Sequence, residues 1–144
     1  MVGVANKKKA TSRTRLEEIN IRGLGVIDHA VVDFAPGLNV ITGETGAGKT
    51  MVLTALSLLL GEKADSDLIR EGHERMTVSG VFSLGGASQP LLSFLDEQGI
   101  EITDEEIVVT RNVTKDGKSR ALISGSTSTA SALNQLGQEL IEVH

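Results

Sequence analysis

The sequence feature that most constrains this chain is a run of eight residues, Gly43-Glu44-Thr45-Gly46-Ala47-Gly48-Lys49-Thr50. The run fits G-x-x-x-x-G-K-[ST], the pattern of a glycine-rich loop that wraps a phosphate. The preceding apolar segment, 38–42, is typical of a buried parallel strand. The following segment, 51–60, is almost wholly apolar and ends at Gly61, as a buried helix does. The pattern therefore predicts a strand, a phosphate-binding loop and a helix, in that order.

The residue types in this loop suit the binding of a nucleotide. Glycines allow the backbone to approach phosphates closely, and a helix N-terminus offers backbone N–H groups and the positive end of its dipole. We expect Lys49 to reach the β- and γ-phosphates, which makes it the catalytic candidate, and the Thr50 hydroxyl to ligate Mg²⁺. The predicted cofactors are ATP and Mg²⁺. The predicted nucleotide-binding residues in this segment are Gly43, Glu44, Thr45, Gly46, Ala47, Gly48, Lys49, Thr50 and Met51.

Composition narrows the classes of protein that this chain can represent. Its 144 residues suit one domain with its own core. The chain has no cysteine, which excludes a disulfide framework, a thiolate metal site and a cysteine nucleophile, and is compatible with a cytoplasmic location. No apolar run reaches the ~18 residues of a membrane span, and the first residues lack the apolar segment of a secretory signal.

Charge is distributed unevenly along the chain. The first 15 residues carry five cationic side chains and no acidic one, although the whole chain has a net charge of −5. We interpret residues 1–15 as a disordered basic tail, which either solubilises the chain or contacts nucleic acid. Residues 16–144, the predicted domain, are not broadly basic as a dedicated DNA-binding module would be.

Apolar periodicity and turn residues predict the remaining elements. The Asp116-Gly117 pair is a hairpin signal, Gly99 is expected to end a short amphipathic helix, and the Ser/Thr-rich stretch 126–131 is expected to cap the next helix. We predict strands at 16–21, 26–34, 76–82, 107–114 and 119–124, a loop with one helical turn at 64–73, helices at 90–98 and 130–137, and the start of another strand at 140–143.

This order of elements indicates the kind of phosphate-binding protein. Two strands precede the loop strand and a β-rich insert follows the helix, whereas a small kinase or GTPase usually has its loop after the first strand. The arrangement favours an α/β fold of the ATP-binding-cassette head type, with a mixed sheet and an antiparallel β-subdomain. A second acidic Mg²⁺ site normally ends an apolar strand. Asp104 precedes its apolar run and is interpreted as a solvated turn residue, and Glu142 has no Asp partner, so the chain carries half of a nucleotide site.

Several segments together resemble the RecN family of bacterial DNA repair proteins, which belongs with the structural-maintenance-of-chromosomes ATPases. The glycine-rich loop is similar to the Walker A motif of that family. The other matching segments are 16–27 (LEEINIRGLGVI), 58–64 (LLLGEKA), 68–72 (LIREG), 117–125 (GKSRALISG) and 136–144 (LGQELIEVH). The resemblance covers 16–144 and is specific in combination.

The resemblance implies that this chain is the N-terminal lobe of an ATPase head that acts in recombinational repair of DNA double-strand breaks. In the family, a nucleotide-sensing glutamine, a coiled coil, the signature motif, Walker B and the catalytic glutamate follow the position of His144. We therefore expect the chain alone to be inactive as an ATPase. The implied partners are the C-terminal lobe, a second head and DNA, with association to the nucleoid in the intact protein.

Further cationic residues remain open to two interpretations. By the resemblance, Arg22 is expected to reach nucleotide phosphates, although a surface ion pair is an equal alternative. Arg70 is either a nucleotide or DNA contact or a solvated loop residue. The hairpin cations are either contacts to a phosphate backbone or solvated charges, and no aromatic residue stands among them. These are Arg111, Lys115, Lys118 and Arg120; the three histidines, His29, His73 and His144, show no metal-ligand spacing.

Two other functions compete with an ATPase lobe. One is a folded nucleotide-binding module without turnover. The other is a small P-loop kinase, which would need an acceptor site, a lid with arginines and its own Mg²⁺ carboxylate, none of which we identify.

Overall fold

The computed structural model describes residues 14–34 and 46–141, with side chains over 14–34 and 50–140. Over these ranges the chain forms strands and helices, and the helices are interspersed among groups of one to three strands. The strands are β1 (Arg15–Leu24), β2 (Ile27–Asp33), β3 (Arg75–Ser83), β4 (Glu106–Thr114), β5 (Ser119–Ile123) and β6 (Ser126–Ser128). The helices are α1 (Gly46–Leu59), α2 (Gln89–Glu97) and α3 (Ala130–Ile141), with a 3₁₀ turn at Ser66–Leu68.

The described strands form one sheet in the order β2-β1-β3-β4-β5-β6, and all its neighbouring strands are antiparallel. Each predicted strand up to residue 124 and each predicted helix in these ranges is confirmed within a few residues. The predicted loop strand at 38–42 and nearly all of the predicted tail lie outside the described residues. Within the described ranges, none of the helices is long and apolar enough to cross a membrane.

Side-chain alternation gives the sheet two unlike faces. The inner face carries fully buried apolar residues such as Ile21, Val78, Val109 and Ile123, and α1 packs against it. The helix approaches the strands closely at Gly80, where an added Cβ would lie 2.6 Å from Leu59 Cδ1. The outer face is polar. Hydrogen bonds between side chains on this face link neighbouring strands. For example, the Thr77 hydroxyl donates to Asn112 Oδ1 at 2.7 Å.

The C-terminal part of the described chain differs from the prediction. We expected a strand from Leu140, but Leu140 and Ile141 belong to α3, so the prediction is wrong for these two residues. The reason is the helical spacing of Leu133, Leu136 and Leu140, which are all buried and continue one apolar face through the end of the helix. Residues 142–143 lie outside the described ranges.

The start of α3 is partly as expected. The Thr129 hydroxyl accepts a hydrogen bond from the Ala132 N–H at 3.0 Å, which confirms that the Ser/Thr-rich stretch caps the helix. The same stretch also contributes β6, a short edge strand that pairs with β5 and that we did not predict.

The predicted turns are confirmed by backbone conformation. Gly117 has φ +89°, and the Thr114 N–H donates to Lys118 O at 2.9 Å, which closes the β4–β5 hairpin. Asp104 and Glu105 are exposed and both have positive φ, 56° and 59°, as in a tight type I′ turn. Asp104 is therefore a solvated turn residue, as predicted.

Two helices end in the same left-handed glycine motif. After α1, the Gly61 N–H donates to Leu58 O and the Glu62 N–H to Ser57 O, and after α2 the Gly99 and Ile100 N–H groups make the equivalent bonds. The glycines differ in their surroundings. An added Cβ at Gly61 would lie 2.6 Å from both Ala130 O and Asn134 N, whereas nothing lies within 4 Å of one at Gly99. The first turn of α3 therefore packs directly on the end of α1.

We predict that Gly61→Ala destabilises the chain by about 3 kcal/mol and Gly99→Ala by about 1 kcal/mol. Both substitutions force a Cβ into positive φ, but only Gly61→Ala also drives it against a helix backbone that cannot move aside. Denaturant unfolding of both variants measures the difference. Equal losses of stability would contradict the close packing of α3 on Gly61.

Candidate functional site

The N-terminus of α1 lies inside the glycine-rich motif. The helix begins at Gly46 and runs without interruption through Thr50 and Met51. Gly43, Glu44 and Thr45 lie outside the described residues, and for Gly46, Ala47, Gly48 and Lys49 the backbone alone is described. Thr50 is exposed and Met51 is half-buried. The first four N–H groups of an α-helix have no partner inside the helix, so this end of α1 can accept an anion.

The turn between β1 and β2 packs against this end of α1. Gly25 has φ +57°, and a Cβ placed there would lie 2.3 Å from Met51 Sδ, so the turn approaches the helix more closely than any larger residue would allow. The 3₁₀ segment holds the turn from the other side. The Gly25 N–H donates to Leu68 O at 2.7 Å, and the Arg70 N–H donates to Gly23 O at 2.7 Å.

Arg70 places a positive charge beside the β1–β2 turn. Its Nη1 donates to Gly25 O at 3.4 Å, and Gly25 in turn contacts Met51 on α1. The resemblance gave Arg70 as a nucleotide or DNA contact. The structure brings Arg70, Gly25 and Met51 together, and Thr50 precedes Met51 on the helix.

The structure does not bring Arg22 into that neighbourhood. Arg22 is exposed and pairs in register with His29 and Thr77, whereas its neighbour Ile21 is fully buried. Because side chains alternate along a strand, Arg22 projects from the outer face, and α1 lies on the inner face. Among the described residues, Arg22 also makes no ion pair, so neither interpretation from the sequence describes its surroundings.

Arg111 supports the opposite end of α1. Its side chain is 3% exposed, and its Nη1 donates to Leu58 O at 2.6 Å and to Glu62 O at 3.0 Å. Its Nε donates to Ser119 Oγ on β5 at 2.9 Å. Burial lowers the pKa of the Arg111 guanidinium from its ordinary value. A cation at a helix C-terminus is favourable because the last carbonyl groups carry partial negative charge.

This placement corrects the interpretation of the hairpin cations. Arg111 lies on the inner face and is not available to a phosphate backbone, whereas Lys115, Lys118 and Arg120 are exposed. The sequence held one signal for the difference, because Arg111 occupies an inward position of the alternating strand Ile107, Val109, Arg111, Val113. A charged residue at such a position needs acceptors in the core, and the end of a helix supplies them.

Two further ionisable pairs, Asp116 with Lys118 and His73 with Asp28, are local. Asp116 accepts hydrogen bonds from the Thr114 hydroxyl and the Lys118 N–H, which lower the pKa of its carboxyl group, and Lys118 Nζ lies 3.9 Å from Asp116 Oδ2. His73 Nε2 lies 2.9 Å from Asp28 Oδ1. Across residues 14–34 and 46–141, no group of three His, Asp or Glu side chains could hold a metal ion.

Comparisons with known proteins agree with this geometry. A family model described as an AAA domain matches residues 18–143. The DNA repair protein RecN of Streptomyces coelicolor is 43% identical over 126 residues, 88% of this chain and 22% of that protein. RecN of Bacillus subtilis is 37% identical over 129 residues, 90% of this chain and 22% of that protein. The chain therefore spans about a fifth of the length of these relatives.

A solved structure shows the same fold. It comes from work on ATP-driven dimerization and DNA-stimulated activation of SMC ATPases. It superimposes with a TM-score of 0.67 at 22% identity, over 88% of this chain and 80% of that chain. The predicted fold, an α/β ATPase head of this type with an antiparallel β-subdomain, is confirmed.

We predict that Arg111→Met destabilises the chain by about 2 kcal/mol, because Leu58 O and Glu62 O lose the guanidinium donor and Leu58 O keeps only the Gly61 N–H. Arg120→Met, a matched change at an exposed position of the neighbouring strand, is expected to stay within about 0.5 kcal/mol of the unmodified chain. Denaturant unfolding compares the two. Equal stability of both variants would show that the guanidinium does not hold the end of α1.

Proposed function

We propose that this chain is the ATP-binding lobe of a RecN-like ATPase in DNA repair. The chain belongs to the AAA domain family, and its relatives include the RecN proteins. The observation that carries the proposal is the start of α1 at Gly46, within the motif G-x-x-x-x-G-K-[ST]. A helix that begins inside this motif places its N-terminal backbone N–H groups where phosphates bind.

The chemistry of the surrounding residues fits a magnesium nucleotide. In this proposal the loop from Gly43 holds the phosphates, Lys49 neutralises the charge on the β- and γ-phosphates, and the Thr50 hydroxyl ligates Mg²⁺. Arg70 lies next to this end of α1 through its bond to Gly25 O, so it adds positive charge close to the expected phosphates. Bound Mg·ATP would supply the electrophilic phosphorus of a hydrolysis reaction.

The finer parts of the proposal concern the longer proteins that this chain resembles. We propose that two heads enclose ATP between them, that the C-terminal lobe completes each head, and that the assembly holds DNA at double-strand breaks in the cytoplasm, at the nucleoid. The relatives' role in DNA repair and the SMC-type fold support this. The resemblance places the Walker B residue and the catalytic glutamate in later parts of such proteins. We therefore propose nucleotide binding, not turnover, as the property of residues 16–144.

We predict that Lys49→Ala lowers the affinity for Mg·ATP by about a hundredfold, the equivalent of about 3 kcal/mol of charge-assisted hydrogen bonding. Lys63→Ala, which removes an exposed lysine beyond the other end of the same helix, should leave the affinity unchanged. Isothermal titration calorimetry measures both. If the two variants bound Mg·ATP equally well, the phosphate-binding assignment would be wrong.

We predict that Thr50→Ala removes the Mg²⁺-dependent part of the nucleotide affinity and spares most of the affinity measured in EDTA. The hydroxyl is the expected metal ligand, whereas the phosphates are held mainly by backbone N–H groups. Thr50→Ser keeps the hydroxyl and should retain the Mg²⁺ dependence. Titrations with and without Mg²⁺ test this, and an unchanged Mg²⁺ dependence in Thr50→Ala would exclude Thr50 as the ligand.

A further inference from the structure

The outer face of the sheet carries a group of arginines that form no ion pair with a described acidic residue. Arg22 on β1, Arg75 on β3 and Arg120 on β5 are all exposed, and we call these three residues the outer arginine patch. Among the described residues, the ion pairs within 4.0 Å involve Arg15, His73 and Lys118, and none involves the patch. The whole chain has 19 acidic residues and a net charge of −5, so acidic partners are not scarce.

Strand register places these arginines on one face. Arg22 is paired with Thr77, Thr77 with Asn112 and Asn112 with Arg120, in a straight row across four strands. The hydrogen bond from Thr77 to Asn112 fixes the middle of that row. Arg75, two residues before Thr77, projects from the same face and lines a cleft with Arg120, Asn112 and Thr114. The Lys118–Asp116 pair lines the same cleft.

Charge on the outer face is segregated along the strands. Near the patch, Asp116 is held by Thr114 and Lys118. Three other acidic side chains lie at the opposite end of this face, where Glu18 pairs in register with Asp33, and Glu106 with Ser83. Arg22 is four positions after Glu18 on β1, which corresponds to about 13 Å of strand. One end of the face is therefore positive and the other negative, and an anionic partner is directed to the patch.

The patch is too wide for one phosphate group, so its partner is expected to be an extended polyanion. Arg22 and Arg120 are separated by three strand spacings, about 14 Å at about 4.8 Å per strand, which exceeds the size of one phosphate group. Duplex DNA carries one charge per ~1.7 Å of its axis, so about eight phosphates fall within this length. Side chains between the arginines, such as Thr77 and Asn112, can donate hydrogen bonds to phosphate oxygens.

Among the described residues, no Phe, Tyr or Trp side chain lies on this face, which favours a duplex over a single strand. The chain has no Trp or Tyr and three Phe, of which Phe82 and Phe94 are buried and Phe34 packs against the core. Proteins that bind single strands stack bases on aromatic rings. The described part of the outer face can contact a phosphate backbone but offers no Phe, Tyr or Trp ring to a base; the ring beside the patch is the imidazole of His29.

We infer that the outer arginine patch is a binding surface for the phosphate backbone of duplex DNA, with little preference for sequence. This inference rests on the proposed function for the choice of DNA among polyanions. It assigns the contact to a face of the sheet opposite to α1, so DNA and nucleotide are bound on opposite sides of the same sheet. The hairpin cation Lys118 contributes little, because Asp116 is beside it.

The test is the salt dependence of binding to a labelled duplex, measured by fluorescence anisotropy on the full chain. Each of Arg22→Gln, Arg75→Gln and Arg120→Gln should weaken binding several-fold and reduce the slope of log K against log salt by about 1. Arg15→Gln removes the same charge at the acidic end of β1, where Arg15 lies 3.2 Å from Glu17, and should not change the slope. Equal slopes in all four variants would overturn the inference.

Further measurements identify the partner and show that the variants are folded. A single strand of the same length and polyglutamate should bind more weakly than the duplex, and tighter binding of either would overturn the assignment to duplex DNA. Arg22→Lys, Arg75→Lys and Arg120→Lys keep the charge and should restore the slope. Thermal unfolding midpoints equal to that of the unmodified chain show that each variant is folded.

Nucleotide titrations of the same proteins separate this inference from the proposed function. The three glutamine variants should bind Mg·ATP as the unmodified chain does, and Lys49→Ala should keep the full salt slope for DNA. Normal nucleotide binding with no effect of the patch variants on DNA overturns the DNA surface alone. If the salt slope for DNA binding depends on the three arginines but the chain binds no nucleotide, the DNA surface is supported and the proposed nucleotide site is overturned.

Discussion

The guanidinium of Arg111 holds the end of α1 on the inner face of the sheet, and the arrangement of the other elements depends on it. It donates to two carbonyl groups at the C-terminal end of the helix and to Ser119 on β5, so it joins the helix to two strands at once. The helix dipole meets a cation at this end and, in the proposed function, a phosphate at the other. Both ends of α1 then carry the charge that stabilises them.

Close backbone contacts at glycines complete the layer of helices. Leu59 packs over Gly80 on β3, the first turn of α3 packs on Gly61, and Leu60 packs on Gly137 of α3, where an added Cβ would lie 3.0 Å from Leu60 Cδ2. Together with Arg111, these contacts fix α1 relative to both the sheet and α3. A rigid α1 matters for function, because the direction of its N-terminal N–H groups determines where a phosphate is held.

Local patterns predicted most of the fold, and long-range contacts account for what they did not predict. The hairpin at Asp116-Gly117 and the ends of α1 and α2 follow from turn and capping residues that act within a few positions. The pattern at 140–143 suited a strand, but Leu133 and Leu136 lie on the same helical face and extend α3 through Ile141. The glycine-rich motif identified the candidate site. It could not show that Arg70 reaches the β1–β2 turn or that Arg111 is buried, because both depend on contacts more than 40 residues apart.

Oxidation of Met51 would disturb the contact between Gly25 and Met51 at the candidate site. The Met51 sulfur occupies the position that a side chain at residue 25 would take, and it lies next to Thr50 at the beginning of α1. A sulfoxide adds a polar oxygen to that sulfur and turns a flexible apolar side chain into a larger polar one. The β1–β2 turn would then have to move away from the helix, and Arg70 would move with it. Oxidative conditions, which also damage DNA, would thus act on the loop that is expected to hold ATP.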